Sequence, residues 1–293
     1  MKYYISTLNF SPDVNNRIST VLPKMVKKKI KNIEISSFHP YEEGIEKLIK
    51  EYSNDYNILI HNFTPQPKKQ FLLNLSDTNN DKRTLCREFI EDKIILSKDI
   101  NSDYYSFHSG FRVNWKMHKY IYKYKHNTSR LKALGIFISE VNKILDVAES
   151  EKVHIGIENH NCIKERNEDL ILYNIDDWEY LFNNISSNYL HLHLDLGHLK
   201  IASNQNGFDK YDFIKRFGDK IIGIHVNDNV GTKIDSHSPF DVNNFWFGSK
   251  QLQQMPHLRY CCLETITYED MNLIKDMIEY LKRERNEYTL GNT

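Results

Sequence analysis

Four cysteines in 293 residues, with no CxxC pair and no regular spacing, give no disulfide framework and no thiolate metal site. Cys86, Cys162, Cys261 and Cys262 read as reduced residues, and a reducing cytosol is the expected location. No apolar run reaches the roughly 18 residues a membrane-spanning helix needs. Met1 to Phe10 lacks a basic region followed by a long apolar stretch. The expectation is a soluble, cytoplasmic protein with no membrane partner. Net charge is also missing, because 39 Lys and Arg balance 39 Asp and Glu. No broad basic field therefore calls for nucleic acid or an anionic surface, although a local patch stays open. Internal repeats and a Gly/Ser-rich linker are absent, so residues 1–293 read as one domain.

What is present is ordinary globular material, 40% hydrophobic and 27% charged, enough for a sizeable core. Short β-rich runs alternate with helical stretches, the pattern of βαβ units. The runs are Tyr3 to Leu8, Asn32 to Ser36, Asn57 to His61, Tyr104 to His108, Val153 to Glu158, Leu190 to Asp195, Ile221 to His225 and Tyr260 to Glu264. Leu134, Phe137, Ile138, Val141, Ile144, Leu145 and Ala148 follow the spacing of an amphipathic helix. Glu46 to Tyr52, Arg83 to Ser97, Trp178 to Ile185 and Leu273 to Leu281 are further helical candidates. The predicted class is α/β, a (β/α)₈ TIM barrel. Two long segments, Asn62 to Asp81 and Val226 to Gly248, begin just after strands, which in a barrel places them over the mouth.

Strand parity carries the chemistry. Side chains alternate between faces, so if Leu190, Leu192 and Leu194 face the helices, then His191, His193 and Asp195 face the barrel interior. The same reading turns His61, His108, Glu158, His225 and Glu264 inward, each at a strand end. One such residue alone is an unremarkable cap or satisfied polar group. Six at six consecutive strand ends would repel or go unsatisfied unless a cation joined them. Carboxylate with imidazole and no thiolate suits Zn²⁺, Mn²⁺, Fe²⁺ or Co²⁺ better than Ca²⁺.

The motifs around these residues resemble the endonuclease IV and xylose isomerase-like superfamily of metal-dependent barrels. They are IENH (Ile157 to His160), LDLGH (Leu194 to His198), HVND (His225 to Asp228), DSH (Asp235 to His237) and LET (Leu263 to Thr265). FHSG (Phe107 to Gly110) and the stretch from His61 through FLLNLS (Phe71 to Ser76) extend the likeness into the first half. In the isomerase branch, the resemblance implies one metal held by Glu158, Asp195, His225 and Glu264. In the endonuclease IV branch, His61, His108, His198, Asp235 and His237 join them in holding three zinc ions. The resemblance thus implies one to three divalent ions, Zn²⁺ or Mn²⁺.

Two activities follow from the resemblance. As a sugar or sugar-phosphate isomerase or epimerase, the protein would work through a metal-stabilised enediolate, with Glu158 and Glu264 as acid and base and His198 polarising the substrate. As an endonuclease IV-like multinuclear zinc phosphoesterase, it would cleave abasic-site DNA or a phosphorylated small molecule. We take the first as the expectation, because IENH and LDLGH look like the isomerase branch and NFTPQPKKQ alters the region the nuclease uses as its DNA wedge. The expected partner is a small carbohydrate or sugar phosphate, with nucleic acid second and self-assembly open. Arg112 follows a strand end and offers a bidentate fork. With Asn159 of IENH and Asp228 of HVND, it completes the substrate-binding candidates.

Overall fold

All eight expected strands form, and they carry their polar ends to one mouth. The computed structural model describes residues 1–11, 16–118, 121–126 and 128–290. In chain order, β1 (Lys2–Ser6) leads through a 3₁₀ turn (Thr7–Phe10) to α1 (Ile18–Lys27), β2 (Asn32–Ile35), α2 (Ile45–Tyr52), β3 (Asn57–Ile60), α3 (Asn80–Asp99) and β4 (Tyr104–His108). A hairpin of β5 (Val113–His118) and β6 (Ile121–His126) then precedes α4 (Arg130–Glu151), β7 (His154–Glu158), α5 (Ile175–Asn184), β8 (Leu190–Asp195), α6 (Leu196–Asn206) and α7 (Lys210–Phe217). The chain ends with β9 (Ile221–Val226), α8 (Ser249–Leu252), β10 (Tyr260–Leu263) and α9 (Met271–Leu290). The sheet is parallel, in the order β3-β2-β1-β10-β9-β8-β7-β4. A parallel bridge between His61 and Ser106 and an Asn62 N–H to Ser106 carbonyl bond of 2.7 Å draw its two edges together. This is a (β/α)₈ barrel.

The first strand stops at Ser6 rather than Leu8, because the Ser6 hydroxyl accepts from the Leu8 N–H and starts the 3₁₀ turn. Helix α4 buries the whole apolar stripe read from its sequence, and Ser129 caps its first turn by accepting from the Lys132 N–H. Helices α1, α6 and α7 and the β5-β6 hairpin were not expected. No helix among the described residues is long and apolar enough to cross a membrane. All four cysteines are free and buried.

Parity holds throughout the barrel. Leu190, Leu192, Leu194, Ile155 and Ile157 pack into the outer core against the helices. Beneath the mouth, Tyr4, Leu59, Tyr104, Ile222, Tyr260 and Cys262 fill the interior. Tyr104 and Tyr260 stack with ring centres 4.4 Å apart, and the Tyr104 hydroxyl pairs with His193 Nδ1 at 2.7 Å. Gly156 and Gly223 make this possible: a Cβ on Gly156 would run into the Tyr104 hydroxyl, and one on Gly223 would lie 2.7 Å from His193 Nδ1.

The second long segment divides. Its first half enters the mouth, whereas Phe245, Trp246 and Phe247 turn back to the barrel wall, with Phe240 stacked on Phe245 and both against Tyr280 of α9. The first long segment likewise packs inward, where Phe63 and Phe71 meet Phe89 of α3. Both draw their aromatics out of water, which is worth more than covering an open mouth.

At the opposite end of the barrel, His154 Nδ1 and His191 Nε2 lie 2.8 Å apart. Burial, then the nearby His154 and Arg259 charges, push His191 down to about 3. An unfolded histidine titrates near about 6.5, so below that pH the unfolded chain takes up a proton that the folded chain refuses. Stability linked to His191 is therefore lost as pH falls from about 6.5 toward 3. Urea titrations of chelator-treated wild type and His191→Gln should show their stability gap shifting in the variant's favour from neutral to acid pH. A gap that does not move with pH would refute this. Gly156→Ala should lower the unfolding midpoint by the equivalent of about 1–3 kcal/mol through overpacking against Tyr104.

Candidate metal centre

Asp195 shows how local sequence builds the site. It ends β8 and also caps α6, its Oδ1 accepting the His198 N–H at 2.7 Å, so one residue fixes the position of a second. Its Oδ2 accepts from Asn227 at 2.8 Å. Gly197, between Asp195 and His198, must be small, because a Cβ there would strike Asn227 and lie 2.7 Å from Asn229 Nδ2. Asn159 clamps β7 to β8 by accepting from the Asp195 N–H at 2.8 Å and donating to the Asp195 carbonyl at 3.1 Å. Strand register then sets His108 beside Glu158 and Asp195 beside His225.

Nine side chains meet at the mouth. Glu158 Oε2 lies 3.2 Å from His61 Nε2 and 3.2 Å from His108 Nε2, and those two nitrogens are 3.3 Å apart. On its other side, Glu158 Oε1 is 3.2 Å from His198 Nδ1 and 3.7 Å from His225 Nδ1. His225 Nδ1 in turn sits 2.9 Å from Glu264 Oε2 and 3.8 Å from Asp195 Oδ2. A third group joins His198 Nε2 to Asp235 Oδ2 at 2.9 Å and His237 Nε2 to the same oxygen at 3.5 Å. His237 is held on a left-handed turn, φ +42°, by donation of the Ile266 N–H to its carbonyl at 2.7 Å. A non-glycine residue in that region stores strain that the surrounding contacts must hold.

The charges are balanced locally. Burial would raise the Glu158 carboxyl, but His108 and His61 hold it well below the usual range. Burial likewise opposes Glu264, which His225 and His237 pull down to about 2. Burial raises Asp195, and the Glu158 and Asp235 charges add to the rise. His198 and His225 are pushed well above the ordinary imidazole value against burial, His198 by Asp195 and Asp235 and His225 by Glu264 and Glu34.

These residues fit divalent ions. Both Glu158 oxygens, His225 Nδ1 and Asp235 Oδ1 are buried with no aligned hydrogen-bond partner, although acids and imidazoles crowd them. Ligands each about 2.0–2.2 Å from a shared ion stand on the order of 3–3.5 Å apart, close to the spacings among His61, His108 and Glu158. Several sets of three donors fall within 4.8 Å of one another, including Asp195 with His225 and Glu264, and His198 with Asp235 and His237.

The substrate-binding candidates occupy other positions. The cavity of about 190 Å³ over the centre does not include Arg112, Asn159 or Asp228 in its lining. Arg112 pairs with Glu168 at 2.8 Å, Asp228 pairs with Lys200, and Asn159 is committed to Asp195. Both His198 nitrogens also have partners, the Asn159 carbonyl at 2.8 Å and Asp235. The lining instead brings in Phe38, Phe111, His160 and Asn161. His160 donates to the Ser109 carbonyl at 3.1 Å, and burial with the His108 and His198 charges lowers it to about 3. Its place within IENH was the one available signal for it; the two phenylalanines had none.

Imidazoles must shed protons to bind metal. The raised His198 and His225 give the metal-free protein stability that is present below about pH 6.5 and lost as pH rises. Zinc competes with those protons, so the gain in Tm on adding zinc should grow from about pH 5.5 to 8. A gain independent of pH would mean that these imidazoles are not the ligands.

Several solved structures with this architecture carry the names of sugar epimerases. A D-tagatose 3-epimerase-like protein superposes with a TM-score of 0.75 at 19% identity, covering 98% of this chain and 99% of the other. The D-psicose 3-epimerase of Clostridium cellulolyticum H10, solved with D-tagatose, gives 0.63 at 14% identity over 99% and 97%. The IOLI protein solved with a zinc atom gives 0.69 at 12% identity over 97% and 99%. No curated protein matches the sequence. The model of the xylose isomerase-like TIM barrel family matches residues 27–284, which with the closed parallel sheet establishes that the chain belongs to that family.

Proposed function

We propose that this protein is a divalent-metal-dependent isomerase or epimerase of a small sugar. One observation carries the reading: Glu158 and Glu264, buried carboxylates from β7 and from just past β10, open onto the same cavity of about 190 Å³. That volume suits a monosaccharide. Phe38 and Phe111 in the wall offer apolar faces to sugar C–H groups, and no Lys or Arg lines the cavity among the described residues. The epimerase names of the structural neighbours support the same substrate class.

A Zn²⁺ or Mn²⁺ ion held by Glu158, Asp195, His225 and Glu264 would act as a Lewis acid on a neighbouring carbonyl and hydroxyl pair. Glu264, kept ionised by His225 and His237, is placed to accept a proton from carbon. Glu158, also ionised at rest, faces the cavity from the neighbouring side and would relay a solvent proton to the opposite face of that carbon, while Glu264 gives up the proton it took either to solvent or to the adjacent carbon. Asn159 and Asn227 hold Asp195 and contribute geometry, not proton transfer.

A second reading, a multinuclear phosphoesterase, is favoured by a specific observation. Glu158 Oε2 forms a near-equilateral triangle with His61 and His108, and His198, Asp235 and His237 form a separate group. Those donors suit further ions in a clamp for phosphoryl transfer, with Glu158 bridging.

Incubation of metal-loaded protein with ketohexoses in D₂O should place deuterium on a substrate carbon under the first reading. Phosphate release or nicking of abasic DNA, without such exchange, would replace it with the second. Elemental analysis of wild type and His237→Ala separates one-metal from multi-metal centres. Loss of an ion in the variant supports a cluster, whereas unchanged metal content leaves the Glu158, Asp195, His225 and Glu264 site alone.

A further inference from the structure

The proton inventory beneath the centre assigns a role to a residue on β2, a strand that supplies none of the expected ligands. Glu34 is 1% exposed, and its Oε1 accepts from His225 Nε2 at 2.9 Å. The Cys262 thiol lies within 4.8 Å of the same carboxylate, on the floor of the barrel. Among the described residues, no Lys or Arg pairs with Glu34, so His225 is its one cationic partner. A buried carboxylate held by one imidazole adds little to stability, since apolar residues of similar volume often serve as well.

Glu34 determines which His225 nitrogen is free. An ionised carboxylate only accepts, so the hydrogen of neutral His225 must sit on Nε2. Nδ1 is then left as a lone pair among Glu264 Oε2 at 2.9 Å, Glu158 Oε1 at 3.7 Å and Asp195 Oδ2 at 3.8 Å. A lone pair facing three carboxylates is repelled by all of them unless a cation stands between. We propose that Glu34 is the positioning residue for the metal centre: it fixes the His225 tautomer and ring direction, so that Nδ1 arrives at the carboxylate cluster ready to ligate. This rests on the metal-holding part of the function proposed above, and not on the sugar chemistry.

The test uses the full-length protein and zinc as the probe. Chelator competition should show zinc affinity weakened about 10–100-fold in both Glu34→Gln and Glu34→Ala. The near-isosteric Gln variant covers failure of the Ala variant to fold, and unfolding of the metal-free proteins checks that the barrel is intact. Ring ¹⁵N shifts of His225 supply a readout that a packing role would not move. Wild type should show the Nε2–H tautomer once neutral, and Glu34→Ala should lose that preference, whereas Glu34→Gln keeps an acceptor oxygen and removes only the charge. Zinc affinity within about twofold of wild type in the folded variants, or an unchanged tautomer in Glu34→Ala, would overturn the assignment without touching the sugar reading, because no sugar enters the measurement. Wild-type protein that binds neither zinc nor manganese would overturn both.

Discussion

The mouth of this barrel is organised around one electrostatic constraint: Glu158 is buried among imidazoles and acids, and neither of its oxygens has an aligned hydrogen-bond partner. Its two oxygens face different neighbours, His61 and His108 on one side and His198 and His225 on the other. In the metal-free protein, protons on the histidines carry the balancing charge. Under the function proposed, the same geometry would accept metal ions in exchange for those protons.

Much of what the sequence presents as functional motif serves to hold that cluster in place. In LDLGH, Asp195 is at once the end of a strand, the cap of a helix and a ligand candidate, and Gly197 is required because the Asn227 and Asn229 side chains lie against it. In IENH, the asparagine ties two strand ends together. The threonine of LET donates to Asn9, which also holds the Leu263 carbonyl just before Glu264. Beneath them, Tyr104, His193 and the small residues Gly156 and Gly223 fill the interior, so that the ligands stand on a packed floor. Rigid support of this kind is what keeps a site within the narrow tolerance that metal chemistry demands.

The arrangement also explains why two chemistries can be argued from one chain. Glu158 and Glu264 on one small cavity suit proton transfer on a sugar, while the histidine groups on either side suit additional ions. The carboxylates and the histidines occupy the same few ångströms, so under the proposed function the number of ions held would decide whether Glu158 is free to carry a proton or is consumed as a bridge.

Alternation along the strands was enough to read the barrel and the inward side of each strand that carries a ligand candidate, because the period of two is a local property. The α4 stripe was legible for the same reason, its period of 3.6 being local too. Helix α6 escaped notice because its cap is also a ligand candidate and its residues are buried almost all round, leaving no polar face to mark a period. The roles of Arg112, Asp228 and Asn159 depended on partners distant in sequence, Glu168, Lys200 and Asp195, which no local pattern announces. So did the turn of Phe245 to Phe247 away from the mouth, decided by Tyr280 of α9. Residue type and parity determined which side chains face the interior, but only the closed barrel decided which of them touch, because contact across a barrel depends on register and on closure of the sheet.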